Sequence, residues 1–151
     1  MVTIALYNLK GGVGKTAATI NLAYLAAKEG YKTLIWDMDP QGSSSFYLGA
    51  KSGSKNESRK LLNSEMDLLD AVQSSAYENL DIIPADLSAR HADVLLNEMK
   101  QSKKKISSLL SGLKKDYDLV ILDCPPGISI LHDAIFVGVD WILMPNIPTT
   151  L

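Results

Sequence analysis

The sequence predicts an α/β fold in which a mostly parallel sheet carries helices on both faces. Three observations support it. Short aliphatic and β-branched runs alternate with longer runs whose apolar residues fall at helical spacing. The strand-like runs are continuously apolar, as strands buried on both faces are. A glycine-rich turn, Gly11-Gly12-Val13-Gly14, joins the first strand to the first helix.

Taken in order, residues 3–8 are a short apolar run expected to form a buried strand. Residues 16–28 carry Ile20, Leu22, Ala23, Leu25, Ala26 and Ala27, which suits a buried or amphipathic helix, with Gly30 as its stop. Thr33–Asp37 reads as a second buried strand. Residues 41–60 hold many Ser, Gly, Lys and Asn and read as a loop within the same domain. A short helix is expected over 66–72, a strand over 80–84, and helices over 88–99, with Val94, Leu95 and Met99 on its apolar face, and over 106–113. Residues 118–124 form the clearest buried strand, and residues 141–144 the last. Trp36 and Trp141 are expected in the core.

The length of 151 residues suits one ordinary domain, residues 1–151. A hydrophobic content of 46% with 21% charged residues is that of a soluble globular protein able to bury a core without disulfides. The charge balance of 15 basic against 17 acidic residues gives no global basic field, so a nucleic acid would have to meet a local patch. Cys124, the only cysteine, supports neither a disulfide nor a cysteine-rich metal site. No secretory pattern opens the chain, and no run approaches the roughly 20 apolar residues of a membrane span. A cytoplasmic protein without stable membrane insertion is expected. The chain stops at Ile147-Pro148-Thr149-Thr150-Leu151, directly after a strand-like run. That suggests the N-terminal part of a longer domain, with an open sheet edge and exposed apolar surface.

Strand, then Lys10-Gly11-Gly12-Val13-Gly14-Lys15-Thr16, then helix is the context a phosphate-binding loop needs. Glycines let backbone N–H groups close around phosphate oxygens, and a helix N-terminus adds donors and a positive dipole end. Lys15 would reach the β- and γ-phosphates of ATP, and the Thr16 hydroxyl would ligate Mg²⁺. The usual spacing would place glycine at position 9. Leu9 stands there instead, and Lys10 adds a second lysine, giving the deviant Walker A form KGGxGK[ST]. Asp37, Asp39 and Asp123 lie where apolar strands end, the place where open α/β sheets bind ligands. Asp123 ends the strongest strand ahead of Pro125-Pro126, as a Walker B aspartate does. Asp37 and Asp39 are two apart, and at a strand end only one of them reaches the phosphates.

Together, Asn8-Leu9-Lys10-Gly11-Gly12-Val13-Gly14-Lys15-Thr16, Asp37-Met38-Asp39-Pro40-Gln41-Gly42 and Asp118-Leu119-Val120-Ile121-Leu122-Asp123-Cys124-Pro125-Pro126 resemble the ParA/Soj/MinD family of deviant Walker A ATPases, and its ParA branch most. The resemblance implies a P-loop NTPase fold and slow, weak ATP hydrolysis. It implies that residues 10–17 bind the nucleotide, with Lys10 reaching the other subunit's nucleotide and Lys15 the β/γ-phosphates. It further implies a metal site of Thr16, Asp39 and Asp123, in which Thr16 binds Mg²⁺, Asp39 also positions the hydrolytic water, and Asp123 holds Mg²⁺ through water. The implied partners are a second copy in the ATP state, non-specific DNA on the nucleoid, and a protein that stimulates hydrolysis. The implied role is DNA partitioning or cargo positioning, with a MinD-like membrane-surface ATPase as the alternative. Three positions depart from the family: Ala17 replaces a second hydroxyl, and Gly127 and Ala134 replace Ser and Asn. An iron–sulfur relative would need two cluster cysteines, and a tyrosine autokinase a C-terminal tyrosine cluster.

The bland readings cover the rest. Lys100, Lys103, Lys104, Lys105, Lys114 and Lys115 read as a solvated helix face before they read as a DNA patch. Cys124 reads as a small buried residue and not a nucleophile. His91 and His132 share no metal spacing. Residues 84–90 read as a helix start capped by Asp86 or Ser88.

Overall fold

The computed structural model describes residues 1–52 and 56–148. Residues 53–55 of the expected 41–60 loop, and residues 149–151 of the terminal run, lie outside the described residues. The strands are β1 Val2–Leu6, β2 Thr33–Asp37, β3 Gln73–Ser74, β4 Leu80–Ile83, β5 Leu119–Asp123 and β6 Trp141–Leu143. The helices are α1 Lys15–Lys28, α2 Ser43–Tyr47, α3 Glu57–Leu62, α4 Ala92–Asn97, α5 Ser102–Ser111 and α6 Ile130–Gly138. Among the described residues the sheet order is β3-β4-β2-β5-β1-β6. Only β3, paired with β4, runs antiparallel. The expected fold class is observed.

The two-residue period of the strands sorts the core onto the two faces. Ala5, Leu34, Trp36, Val120 and Leu122 join one cluster, which α3, α4, α5 and α6 cover. Leu6, Ile35 and Ile121 join the other, under α1. Helix α1 buries Lys15, Thr19, Ala23 and Ala27, an i, i+4 stripe of mostly short side chains. Leu22 and Leu25 face outward at 39% and 55% exposure, because the close approach to the sheet has room only for small residues. The helix ends in paired bonds from Gly30 N to Ala27 O and Tyr31 N to Ala26 O, the Schellman closure expected at Gly30.

Several sequence expectations need correction. The described part of 41–60 is not all loop, since it holds α2 and α3. Residues 66–72 hold a 3₁₀ turn over Leu68–Ala71, and residues 88–99 divide into a 3₁₀ turn, Leu87–His91, followed by α4. On α4 Ala92 and Leu96 are buried, and Leu95 and, past the helix end, Met99 pack against the core as expected, while Val94 is 60% exposed. Helix α6 has no counterpart in the sequence reading, because His132 and Asp133, adjacent in sequence, are its only polar side chains and mark no helical period. Trp36 is core, but Trp141 is 68% exposed, since β6 is an edge strand pairing only β1 among the described residues. Ile142, Leu143 and Met144 are exposed beside it, which is the apolar sheet edge expected from the sequence.

Candidate phosphate-loop site

Strand register assembles the site. Leu6, Asp123 and Asp37 are side by side at the carboxyl ends of β1, β5 and β2. The chain leaves β1 and β2 on either side of β5, so the crevice above β5 is where such sheets hold ligands.

The phosphate loop is clamped at its base and open at its tip. Asn8 is the clamp. Its Oδ1 accepts from the Lys10 N–H at 2.9 Å, and its Nδ2 donates to Pro145 O at 2.8 Å and Asn146 Oδ1 at 3.0 Å. Leu9 O accepts from Gly127 N at 3.2 Å, and the Tyr7 hydroxyl donates to Gly127 O at 3.0 Å. Gly12 and Gly14 have φ of 74° and 91°, a left-handed backbone that an L side chain strains to adopt. A Cβ on Gly11, Gly12 or Gly14 would meet no atom within 4 Å, so the tip borders open space. Helix α1 begins at Lys15 with no side-chain cap and no acidic residue in its first turn. Its orphan N–H donors are left for an anion. Lys15 is 7% exposed, and its Nζ donates to Lys10 O at 3.3 Å. Val13 and Thr16 are half-buried, and Lys10 and Ala17 are exposed.

The three aspartates separate into distinct roles. Asp37 is 2% exposed, and its Oδ2 accepts both the N–H and the O–H of Ser45, at 2.8 and 2.7 Å. The Ser45 hydroxyl oxygen in turn accepts from Ala85 N at 2.9 Å. Asp37 therefore ties α2 to the sheet. Asp39 is half-buried, with Oδ1 closing a turn onto Gln41 N at 2.9 Å. Asp123 is 1% exposed, and its Oδ2 accepts the Ser44 hydroxyl at 2.6 Å. Its Oδ1 is buried with no hydrogen-bond partner. Burial pushes its carboxyl up, Ser44 and then Thr16 oppose that, Asp39 adds to it and Lys15 counters it. The structure thus brings Lys15, Thr16, Asp39 and Asp123 into one electrostatic neighbourhood, with Lys10 exposed on the loop.

A divalent cation suits this donor set. Mg²⁺ uses one or two carboxylates together with waters and phosphates, and needs no all-protein cage. The orphaned Asp123 oxygen near the Thr16 hydroxyl is an acceptor that such a cation's hydration shell would satisfy. Among the described residues no group of three His, Cys, Asp or Glu forms a separate metal site.

Asp37 carries a pH signature. Burial lifts its carboxyl to about 6 from an ordinary 3.8, and the Ser45 bonds only partly offset this. A folded-state pKa above the unfolded one means that the folded protein holds the proton more tightly. The associated stability is complete below about 3.8 and is lost as pH rises through about 6. Nucleotide-free protein should therefore gain about 1 kcal/mol in urea unfolding between pH 8 and pH 5, the part of the window that lies below the folded value of about 6. Asp37→Asn should lose most of that slope, and parallel wild-type and variant profiles would contradict it.

The surrounding candidates follow the bland readings. Cys124 is fully buried, and burial pushes its thiol up. His132 packs against Tyr7 with the rings tilted at 59° and bridges the Ser129 hydroxyl and Pro125 O, each at 3.0 Å, which fixes the turn after β5. Asp86 accepts from Ser88 N, as expected of a cap, and also from Ser58 N and Oγ. Lys103 pairs with Asp133 at 3.7 Å on the surface, and Lys105 donates to the Ser64 hydroxyl. No helix among the described residues is long and apolar enough to cross a membrane. Sequence reasoning missed Ser44, Ser45 and Asn8. The first two stand in a Ser43-Ser44-Ser45 run that looks like loop composition, and Asn8 carried only the family resemblance.

Comparison with known proteins fits this geometry. The profile of the AAA domain family matches residues 1–151, the whole chain. The chain belongs to that family. Within it, this AAA domain is of the ParA type. It is 32% identical to the sporulation initiation inhibitor protein Soj of Bacillus subtilis over 94% of the chain and 56% of Soj. It is 30% identical to the chromosome partitioning protein ParA of Caulobacter vibrioides over 94% of the chain and 54% of ParA. The AAA domain thus spans about half the length of the relatives it matches. An Asp-to-Ala variant of McdA from Cyanothece in complex with ATP superposes with a TM-score of 0.88 at 29% identity, over 96% of this chain and 56% of that one. Cobyrinic acid a,c-diamide synthase from Mycobacterium smegmatis with bound ADP and magnesium gives 0.89 at 25% identity, over 97% and 60%.

Proposed function

We propose that this chain is the nucleotide-binding part of a ParA-type switch ATPase. It binds ATP with Mg²⁺, hydrolyses it slowly and dimerises in the ATP state. The dimer acts in DNA partitioning or cargo positioning through non-specific DNA binding, and a partner protein stimulates its hydrolysis. The observation that carries the reading is the open, uncapped phosphate loop facing an Asp123 whose buried Oδ1 has no partner. Relatives named as chromosome-partitioning proteins, and structural neighbours holding ATP or ADP with magnesium, support it.

Each residue has a physical task. The Gly11–Gly14 backbone wraps the phosphates, Lys15 leaves its own loop carbonyl to neutralise β/γ charge, and the Thr16 hydroxyl and Asp123 hold the cation. Bound Mg²⁺ supplies charge neutralisation on the phosphates. Asp39 orients the attacking water. Lys10, exposed on the loop, reaches the nucleotide of a second copy, so that nucleotide state sets dimer state.

Asp39→Ala should keep ATP bound but unhydrolysed. Light scattering of that variant should show a doubled mass with Mg-ATP only, and the added substitution Lys10→Ala should abolish the doubling. A nucleotide-bound monomer in every state would overturn the trans-acting lysine. ATP-dependent, salt-sensitive DNA binding is expected of the dimer. Binding to anionic liposomes without DNA binding would replace the DNA reading by the MinD-like one.

A further inference from the structure

Ser44 is fully buried, and so is Asp123, the carboxylate to which its hydroxyl donates at 2.6 Å. A carboxylate held by one donor on one oxygen has its rotamer and plane fixed. Its second oxygen then points where the backbone directs it. Here that second oxygen, Oδ1, is buried and unpartnered, beside Thr16. Ser44 is itself held in place. Its neighbour Ser45 gives both its N–H and its O–H to Asp37, so α2 cannot rotate away without breaking two bonds to a buried carboxylate. The contact joins residues 79 apart in sequence.

We infer that Ser44 is a positioning residue for the cation: its hydroxyl fixes Asp123 through Oδ2 and so presents Oδ1 to the hydrated Mg²⁺ held with Thr16 and the nucleotide. This assignment rests on the proposed nucleotide-binding function. It also makes α2, which follows the Asp39-Pro40-Gln41-Gly42 segment directly, part of the metal site's support. A displacement of that segment would reach Asp123 through Ser44.

The test separates metal from nucleotide. ADP affinity is measured by calorimetry in EDTA, and Mn²⁺ binding to the ADP complex by electron paramagnetic resonance. Ser44→Ala should weaken Mn²⁺ binding to the ADP complex by about 10-fold, the low end of the effect of removing an outer-shell partner, because Ser44 acts on the cation through Asp123. Metal-free ADP affinity should stay within about twofold, since no phosphate contact is lost. Ser44→Thr, which keeps the donor, should recover most of the metal affinity. A purely structural role would instead lower both affinities together, or neither, and either outcome overturns the assignment. Should Ser44→Ala fail to fold, Ser44→Cys, whose thiol is a weak donor, carries the same comparison with Ser44→Thr. Wild-type protein that binds no ADP in either condition would overturn the nucleotide reading and this assignment with it. Wild-type protein that binds Mn-ADP normally, with Ser44→Ala indistinguishable from it, would overturn the assignment alone.

Discussion

Lys15→Ala should cost nucleotide affinity by about 30-fold to 5,000-fold, measured by calorimetry with Mg-ADP. Lys15 is 7% exposed, and its Nζ donates to the Lys10 carbonyl at 3.3 Å. A cation held in so dry a place gains strongly when a phosphate takes the place of a neutral carbonyl. Removing one member of a desolvated charge pair costs about 2–5 kcal/mol, which gives the stated range. Lys15→Arg should not rescue binding, since a planar guanidinium does not fit a site shaped for a point charge. Affinity within about threefold of wild type would remove the phosphate from this loop.

The second large effect lies in packing. Gly138 closes α6 where that helix lies against α5. A Cβ there would come within 2.9 Å of the Ser107 backbone nitrogen and 3.2 Å of Ile106 Cγ2. Replacing glycine in a helix normally helps by up to about 1 kcal/mol. Here the atom in the way is backbone, which cannot swing aside, and overpacking of this kind costs about 1–3 kcal/mol. Gly138→Ala should therefore lower stability by about 1–2 kcal/mol, and Gly138→Val by more, read as shifts in the urea midpoint. An unchanged or raised midpoint for Gly138→Ala would mean that α5 and α6 do not pack this closely.

What the sequence revealed of the fold and site, and what it did not, follows from the range of the interactions. The phosphate loop and β5 were legible because their chemistry is local: a glycine turn before a helix, and an apolar run ending in an aspartate. Asp37 and Asp39 could not be assigned by spacing alone. What separates them is Ser45, eight residues on, whose two donors claim Asp37 and leave Asp39 half-exposed. Ser44 was hidden for a similar reason, since a serine run looks like loop until its partner on β5 is known. Helix α6 escaped because its exposed face carries one charged residue, Asp133, beside the apolar Val137, too little to mark its period. Trp141 was misplaced because an apolar strand does not reveal whether it ends up central or at an edge.

The position of β5 has a consequence for how the molecule comes into being. It separates β1 from β2, although both precede it by more than 80 residues in the chain. A growing polypeptide delivers the phosphate loop early and the strand that walls it late. Until residue 123 emerges, β1 and β2 have no native partner between them, and pairing them with each other would be a trap. Closing these long loops precedes any reward from the contacts they allow. The loop is thus synthesised long before it has a wall to face, and a bound nucleotide would mark the moment at which the centre of the sheet has closed.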